Sequence, residues 1–457
     1  VGESNLSKAQ TTLVLPASAL DERALLRKVT LRLIPFLCVL YGFNILDRNN
    51  VAFAKLTMLT DCNISEKAYG WCAGIFFIGY FIFQLPSNLS LSRIGARRWV
   101  SFIMVSWGLI SICTMFVVGP WSFASVRFVL GLAESGFYPG VLLYLTFWYP
   151  AQHRARVVSR FMLASPLMGI VGGPLSGAVM EYMNGSAGLT GWQWLFLIEG
   201  VPAVMLGVMV WFYLSDRPDQ ASWLTENERT WLTGKIEEEH RERPSEHALS
   251  LKQVLWSRKV WHLTLLYTTI AGCIAGLNNY MPSLIGARFA GHNKFQIGLL
   301  SAIPGIGAMI GMVLVGSSSD RMGERRWHVA GSALAAALGW MLYNVSDSLW
   351  FSLFSLTLAL TGMMSVMGPF WSMPTAFLSG RSAAAGIAVI NAIGNLGGFL
   401  APGMIGELKD ASGKYLYGMI LMADTMAVAA LLAITVRGQR MERSGIDQKS
   451  EKQKTKE

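Results

Sequence analysis

The stretch RIGARRW (93–99) returns as RMGERRW (321–327), 228 residues later in a chain of 457. At the same offset Pro174 returns as Pro402 and Gly169 as Gly397. Three matches at one spacing mark two copies of a single unit. Each copy of the basic heptapeptide is flanked by apolar runs of about 20 residues, the length an α-helix needs to cross a bilayer core of ~30 Å. Working outward from both copies yields twelve predicted spans. In the first half they cover 29–54, 69–91, 97–118, 121–149, 155–181 and 192–215. In the second they cover 259–285, 294–319, 326–346, 350–378, 382–409 and 413–436. The chain therefore reads as an all-α membrane protein with twelve transmembrane helices in two pseudo-symmetric six-helix bundles.

Composition agrees. The chain is 53% hydrophobic and only 14% charged, where a soluble domain carries about a quarter; mean hydropathy is +0.41. The net charge of +10 would suit nucleic acid, but its Lys and Arg residues sit in short loops between spans, where they set topology. One side receives Arg23, Arg27, Lys28, then Arg93, Arg97, Arg98, then Arg154, Arg156, then Arg321, Arg325, Arg326, then Arg381 and the tail. The other receives scattered residues such as Lys55, Lys67, Lys294 and Lys414. The rich side is predicted to be cytoplasmic with both termini there. The predicted organisation is a cytoplasmic tail (1–28), an N-terminal bundle (29–215), a polar linker (216–258), a C-terminal bundle (259–436) and a basic tail (437–457). The polar N-terminus runs straight into the first span, so no cleaved leader is expected.

The five cysteines form no C-x-x-C pair, which leaves no zinc site or disulfide framework to expect. There is no G-x-x-x-x-G-K-[ST] segment and no nucleophile–base cluster, so neither an enzyme nor an ATP-driven pump is indicated, and no cofactor is expected. Repeated halves around a midplane site are a common build for secondary transporters. Uphill movement would then borrow an ion gradient.

Charges inside spans cost about 2.5–3.5 kcal/mol each even on lenient scales, and they mark substrate or proton pathways. Span 1 holds Asp47 and Arg48; span 4 holds Arg127 and Glu134. Arg127 and Glu134 are seven residues apart, two turns on one helix face, roughly 10 Å. Guanidinium groups match carboxylates in two-pronged geometry, which makes Arg48 and Arg127 candidates for binding an organic anion. Asp47 and Glu134 are the candidate proton carriers. Ion pairs that merely pin spans 1 and 4 together are the competing reading. Tyr80, Asn279, Tyr280, Trp371, Ser372 and Asn391 are polar or aromatic residues within spans that could line a ligand. Asp424 and Glu199 read as structural acids.

The residues also resemble a known family. GSSSDRMGERR (316–326) is similar to the loop signature of the major facilitator superfamily, with Asp320, Arg321 and Arg325 in the positions of a gate. The first-half copy keeps Arg93 and Arg97 but has Asn88 for the glycine and Ser92 for the acid, so Asp320 would carry more of the latch. LDRNNVAFA, QLPSNLSLSRIGARRW, RFVLGLAESGFYPG, GWQWLFLIEG-x-PA and NAIGNLGGFLAP resemble the anion:cation symporter family, in its bacterial branch for aromatic acids, tartrate and sugar acids. WFYLSDRPDQASWLTENE (211–228) is similar to 4-hydroxyphenylacetate permeases. The resemblance implies the major facilitator fold and a monomer in the bacterial inner membrane. It also implies proton-coupled import of an organic anion such as 4-hydroxyphenylacetate, with phthalate, tartrate or a sugar acid as alternatives. In that pattern Arg48 and Arg127 hold the carboxylate, Asp47 and Glu134 take protons, and Tyr80 and Asn391 face the cavity. GIVGGPLSG (169–177) partly resembles an exporter motif, which keeps proton antiport open, although small residues there also suit close helix packing.

Overall fold

A computed structural model describes residues 21–242, 256–289, 291–375 and 380–436. Residues 1–20 of the predicted N-terminal tail, the whole of the predicted basic tail, and linker residues 243–255 lie outside the described residues. Every regular element described is helical. The first half comprises α1 (Glu22–Asp61), α2 (Glu66–Ile94), α3 (Ala96–Cys113), α4 (Pro120–Glu134), α5 (Phe137–Thr146), α6 (Ala151–Met162), α7 (Ala164–Tyr182) and α8 (Gly191–Tyr213). After α9 (Glu226–Glu242) come α10 (Arg258–Arg288), α11 (Lys294–Met322), α12 (Arg326–Leu342), α13 (Leu349–Thr375), α14 (Gly380–Gly394), α15 (Gly397–Ser412) and α16 (Leu416–Thr435). Eleven passes are long and apolar enough to cross a membrane, and α12, with 17 residues, completes the predicted twelve.

Several predicted ends move. The first span was expected at 29–54, but α1 runs for 40 residues. Its start is set by Asp21, whose carboxylate accepts from the N–H groups of Arg23 and Ala24, so residues 22–28 are helix rather than tail. Its far end passes beyond Lys55 to Asp61. Predicted spans 4, 5 and 11 are each two helices in line, broken at Ser135–Gly136, Leu163 and Asn395–Leu396. Among the linker residues, α9 is a surface helix. Its Glu228 pairs with Lys28 at 2.7 Å, and nearby Trp223 stacks on Trp148 at 5.5 Å.

The helices alternate direction, so α1, α3, α12 and α10 begin on the face rich in Arg, here called the basic face, while α2, α4, α8 and α11 begin on the opposite, far face. Two main seams join the halves, α2 against α15 and α7 against α11, and α1 also meets α10. Both are close crossings of small residues. A side chain at Gly70 would run into the Pro402 carbonyl, and one at Gly298 into the Gly173 carbonyl and, at 3.2 Å, the Pro174 Cα. Gly298 stands 228 residues after Gly70, and Pro402 the same distance after Pro174. The repeated prolines are thus the matching halves of two equivalent crossings. GIVGGPLSG is part of one of them, with Gly173 and Gly177 packed on Gly298 and Lys294.

Candidate functional site

The charged cluster is built by the packing of α4 on α2. Gly131 of α4 faces the Phe76 carbonyl and Gly79 of α2 faces the Phe128 carbonyl, and a side chain at either would collide with backbone. This approach sets the stripe carrying Arg127 and Glu134 against Phe76 and Tyr80, with α1 closing the third side. Arg127 is 3% exposed and Glu134 is fully buried.

Glu134 does not pair with Arg127, its neighbour on the helix. Its Oε1 accepts from the Nε of Arg48 and, at 2.6 Å, from the Nδ2 of Asn44. Oε2 of Glu134 and one Nη of Arg48 have no hydrogen-bond partner among the described residues. The Phe76 ring lies 4.9 Å from the Arg127 guanidinium and 5.4 Å from that of Arg48, and Tyr80 lies 5.0 Å from Arg48. The two cations therefore share one aromatic floor.

Arg127 is the exceptional member. Among the described residues it has no ion-pair partner, and its Nε and Nη1 are buried with no acceptor. Cation–π contact with Phe76 supplies about 0.5–2 kcal/mol, whereas an uncompensated buried charge costs several. Carboxylate oxygens are the strongest acceptors for such open guanidinium N–H groups.

Asp47 turns away from Arg48 towards α3. It accepts from Ser111 Oγ, from Trp107 Nε1 at 2.9 Å and from Asn50 Nδ2 at 3.1 Å. Glu199 of α8 is also buried, with Ser176 donating to it at 2.9 Å. Asp424, expected to have a local partner, stands on an exposed face of α16, with no ion pair among the described residues.

The remaining predicted residues fall into three places. Tyr80 joins the arginine cluster. Trp371 packs edge-on against Tyr267 at 4.9 Å, and both rings also pack on Phe370. Ser372 donates to the Gly368 carbonyl at 3.2 Å. Asn391, half-buried, accepts from Asn395 at 3.3 Å beside the α14–α15 break. Asn279 and Tyr280 belong to a separate cluster nearer the far face. The Asn279 carbonyl accepts from the Tyr69 hydroxyl at 3.2 Å, and Tyr280 donates to the Pro402 carbonyl at 3.1 Å.

That second cluster surrounds Lys55, which the sequence placed in a far-side loop. Its side chain is 2% exposed and pairs with Glu66 at 2.7 Å. It donates to the Tyr415 hydroxyl at 3.1 Å and lies 4.0 Å from the Tyr280 ring. Asn44, Phe76, Trp107, Ser111 and Tyr267 were likewise missed. Each sits in a predominantly apolar span where a single polar or aromatic residue reads as packing.

At the basic face Asp320 pairs with Arg325 of its own loop at 2.6 Å, and Arg321 is exposed. Arg93 is exposed too. In the first half, where Ser92 stands in place of the acid, Asp216 accepts from the Arg97 N–H at 2.7 Å, and the Arg97 side chain lies over Trp211. A carboxylate thus reaches this loop from the segment after α8.

The profile of the Major Facilitator Superfamily matches residues 37–402. The chain belongs to that superfamily. It is a multi-pass membrane transporter and not an enzyme. Among its relatives, a protein of Agrobacterium vitis named "Putative tartrate transporter" is 46% identical, covering 91% of this chain and 95% of that protein. A "Quinolone resistance transporter" of Acinetobacter baumannii is 39% identical over 91% of this chain and 95% of its own length. In fold, the chain is similar to a crystal structure of a D-xylose-proton symporter, with a TM-score of 0.68 and 17% identity over 91% of this chain and 99% of that one.

Proposed function

We propose that this facilitator imports a small organic carboxylate with protons across a bacterial inner membrane, by alternating access. The observation that carries the reading is the buried guanidinium of Arg127, whose Nε and Nη1 have no acceptor among the described residues. The excess of Arg on one face supports placing that face and both termini in the cytoplasm. The far-face seams then close the outside.

Arg127 binds one carboxylate through its open N–H groups. Arg48 is engaged by Glu134 as long as that acid is ionised. A proton on Glu134 removes its charge and releases the Arg48 Nε for a second oxygen of the same ligand. Proton and anion thereby favour each other's binding, the thermodynamic requirement for symport. Asp47, held by Ser111, Trp107 and Asn50, is the candidate second proton site. A hydroxy acid of the tartrate class is the first substrate to test, in view of the 46% identical relative. The rings of Phe76, Tyr80, Tyr267 and Trp371 favour an aromatic acid such as 4-hydroxyphenylacetate as the second reading.

The test is equilibrium binding of tartrate and 4-hydroxyphenylacetate to purified protein in weakly buffered solution with a pH indicator. Binding of either acid is expected with uptake of about one proton, and Glu134→Gln should bind without that uptake. Binding without proton uptake would refute the linkage, and undiminished binding to Arg127→Gln would refute the site.

A further inference from the structure

The far-face seams contain a device that the repeat alone does not reveal. The first N–H groups of any α-helix lack partners within the helix. At α2 the hydroxyl of Ser65 takes the N–H of Ala68 at 3.1 Å. The N–H groups of Glu66 and Lys67 donate instead to Asp410 of α15, in the other half, at 3.2 and 2.8 Å. At α11 the arrangement recurs with the halves exchanged. The side chain of Asn293 takes the N–H of Gln296 at 2.8 Å, while the N–H of Lys294 donates to Glu181 of α7 at 3.0 Å.

The correspondence holds residue by residue. Asn293 stands 228 positions after Ser65 and Lys294 228 after Glu66, while Asp410 stands 229 after Glu181. In each half, a helix that starts at the far face caps its own third N–H and leaves its first donors to a carboxylate from the opposite half. The same two helices carry Gly70 and Gly298, the contact points of the crossings. Caps and crossings therefore form and break together.

We propose that Asp410 and Glu181 are a pair of reciprocal latches that hold the far face closed. Opening that face requires α2 to part from α15 and α7 from α11, which strips the first-turn donors of both α2 and α11 of their acceptors. A carboxylate at a helix N-terminus also gains from the helix dipole, so each latch holds through charge as well as hydrogen bonding. The remaining polar contacts are uneven. The α2–α15 seam adds Lys67–Glu407 at 2.7 Å, an exposed pair of little worth; beside it the Tyr415 hydroxyl, just ahead of α16, donates to Glu66 at 2.9 Å and accepts from Lys55 at 3.1 Å, and the Tyr69 hydroxyl donates to the Asn279 carbonyl at 3.2 Å. On the α7–α11 seam Glu181 is the principal polar tie among the described residues. The inference rests on the fold and the seams, and it holds whichever anion is carried.

The experiment uses the full chain in lipid nanodiscs, with the five cysteines replaced and spin labels at Ser186→Cys and Ser348→Cys, two exposed far-face positions in opposite halves. Pulsed electron–electron distance distributions report the far-open fraction. Losing one cap is expected to raise the open-to-closed ratio roughly fivefold, the value of a typical cap, in either Asp410→Ala or Glu181→Ala. The double variant should multiply the two effects to about 25-fold. Asp410→Asn, which keeps an acceptor, should restore most of the closed population. An unchanged distribution in the double alanine variant would overturn the proposal, even if thermal stability fell. So would an Asp410→Asn variant as open as Asp410→Ala.

Discussion

Replacing Glu134 by Gln removes one charge from a fully buried position while keeping an oxygen that can accept from Asn44 and Arg48. Glu134 lies seven residues from Arg127 on the same helix, about two turns or roughly 10 Å. A carboxylate bound on Arg127 would feel the Glu134 charge at about that distance. With an effective dielectric near 20, the repulsion is about 1.7 kcal/mol, or roughly 15- to 20-fold in affinity. Glu134→Gln should therefore bind substrate about 15- to 20-fold more tightly at a pH where the wild-type acid is ionised, and equally well once it is protonated. Binding titrations by calorimetry across a pH series would show wild-type affinity climbing as pH falls and the variant staying flat. Counterflow exchange should survive in the variant while proton-driven accumulation is lost. A variant that retained the wild-type pH dependence would refute the assignment of Glu134 as the coupled acid.

Three further outcomes are expected. Lys55→Met leaves Glu66 without its buried partner and should cost about 3 kcal/mol, lowering the unfolding midpoint in detergent, and adding Glu66→Gln should restore most of it. Gly298→Val places a side chain against the Gly173 carbonyl and should prevent far-face closure, seen as a transporter that binds substrate but does not turn over in proteoliposomes. The third concerns α9. Partial burial alone would raise the Glu228 carboxyl, but hydrogen bonds from Lys28 and Thr225 outweigh it and hold it below the usual range. The stabilisation it lends is therefore present above the ordinary carboxylate pKa and is lost as pH falls through the lowered one. The protection factors of the α9 amides, corrected for the intrinsic pH dependence of exchange, should be steady from about pH 7 to 5 and fall below about pH 4.

The architecture was legible because membrane spans obey a rule of length and polarity that needs no tertiary information, and because the heptapeptide repeat located the centre of the chain. The intramembrane charges were legible for the same reason, since Asp47, Arg48, Arg127 and Glu134 break apolar runs. Their pairing was not. Adjacency in sequence suggested nothing about Glu134 choosing Arg48 and Asn44, or Asp47 choosing Trp107 and Ser111, because those choices depend on which faces of α1 are turned towards α3 and α4. Lys55 was misread for a simpler reason. A lysine just past an apolar run looks like the start of a loop, and only the continuation of α1 to Asp61 places it inside. The reciprocal caps lay in view at the repeat offset, with Ser65 matching Asn293 and Glu66 matching Lys294, but capping from the opposite half becomes visible only when α2 meets α15.

The central claim, that an anion and a proton move together through this site, is tested most directly by uptake into proteoliposomes under an imposed inside-alkaline pH gradient. Tartrate and 4-hydroxyphenylacetate would be offered separately, with and without a protonophore. Symport requires that one of them accumulate above its external concentration and that the accumulation collapse when the protonophore is added. Accumulation indifferent to the protonophore, or movement of the acid only outward against the gradient, would contradict it.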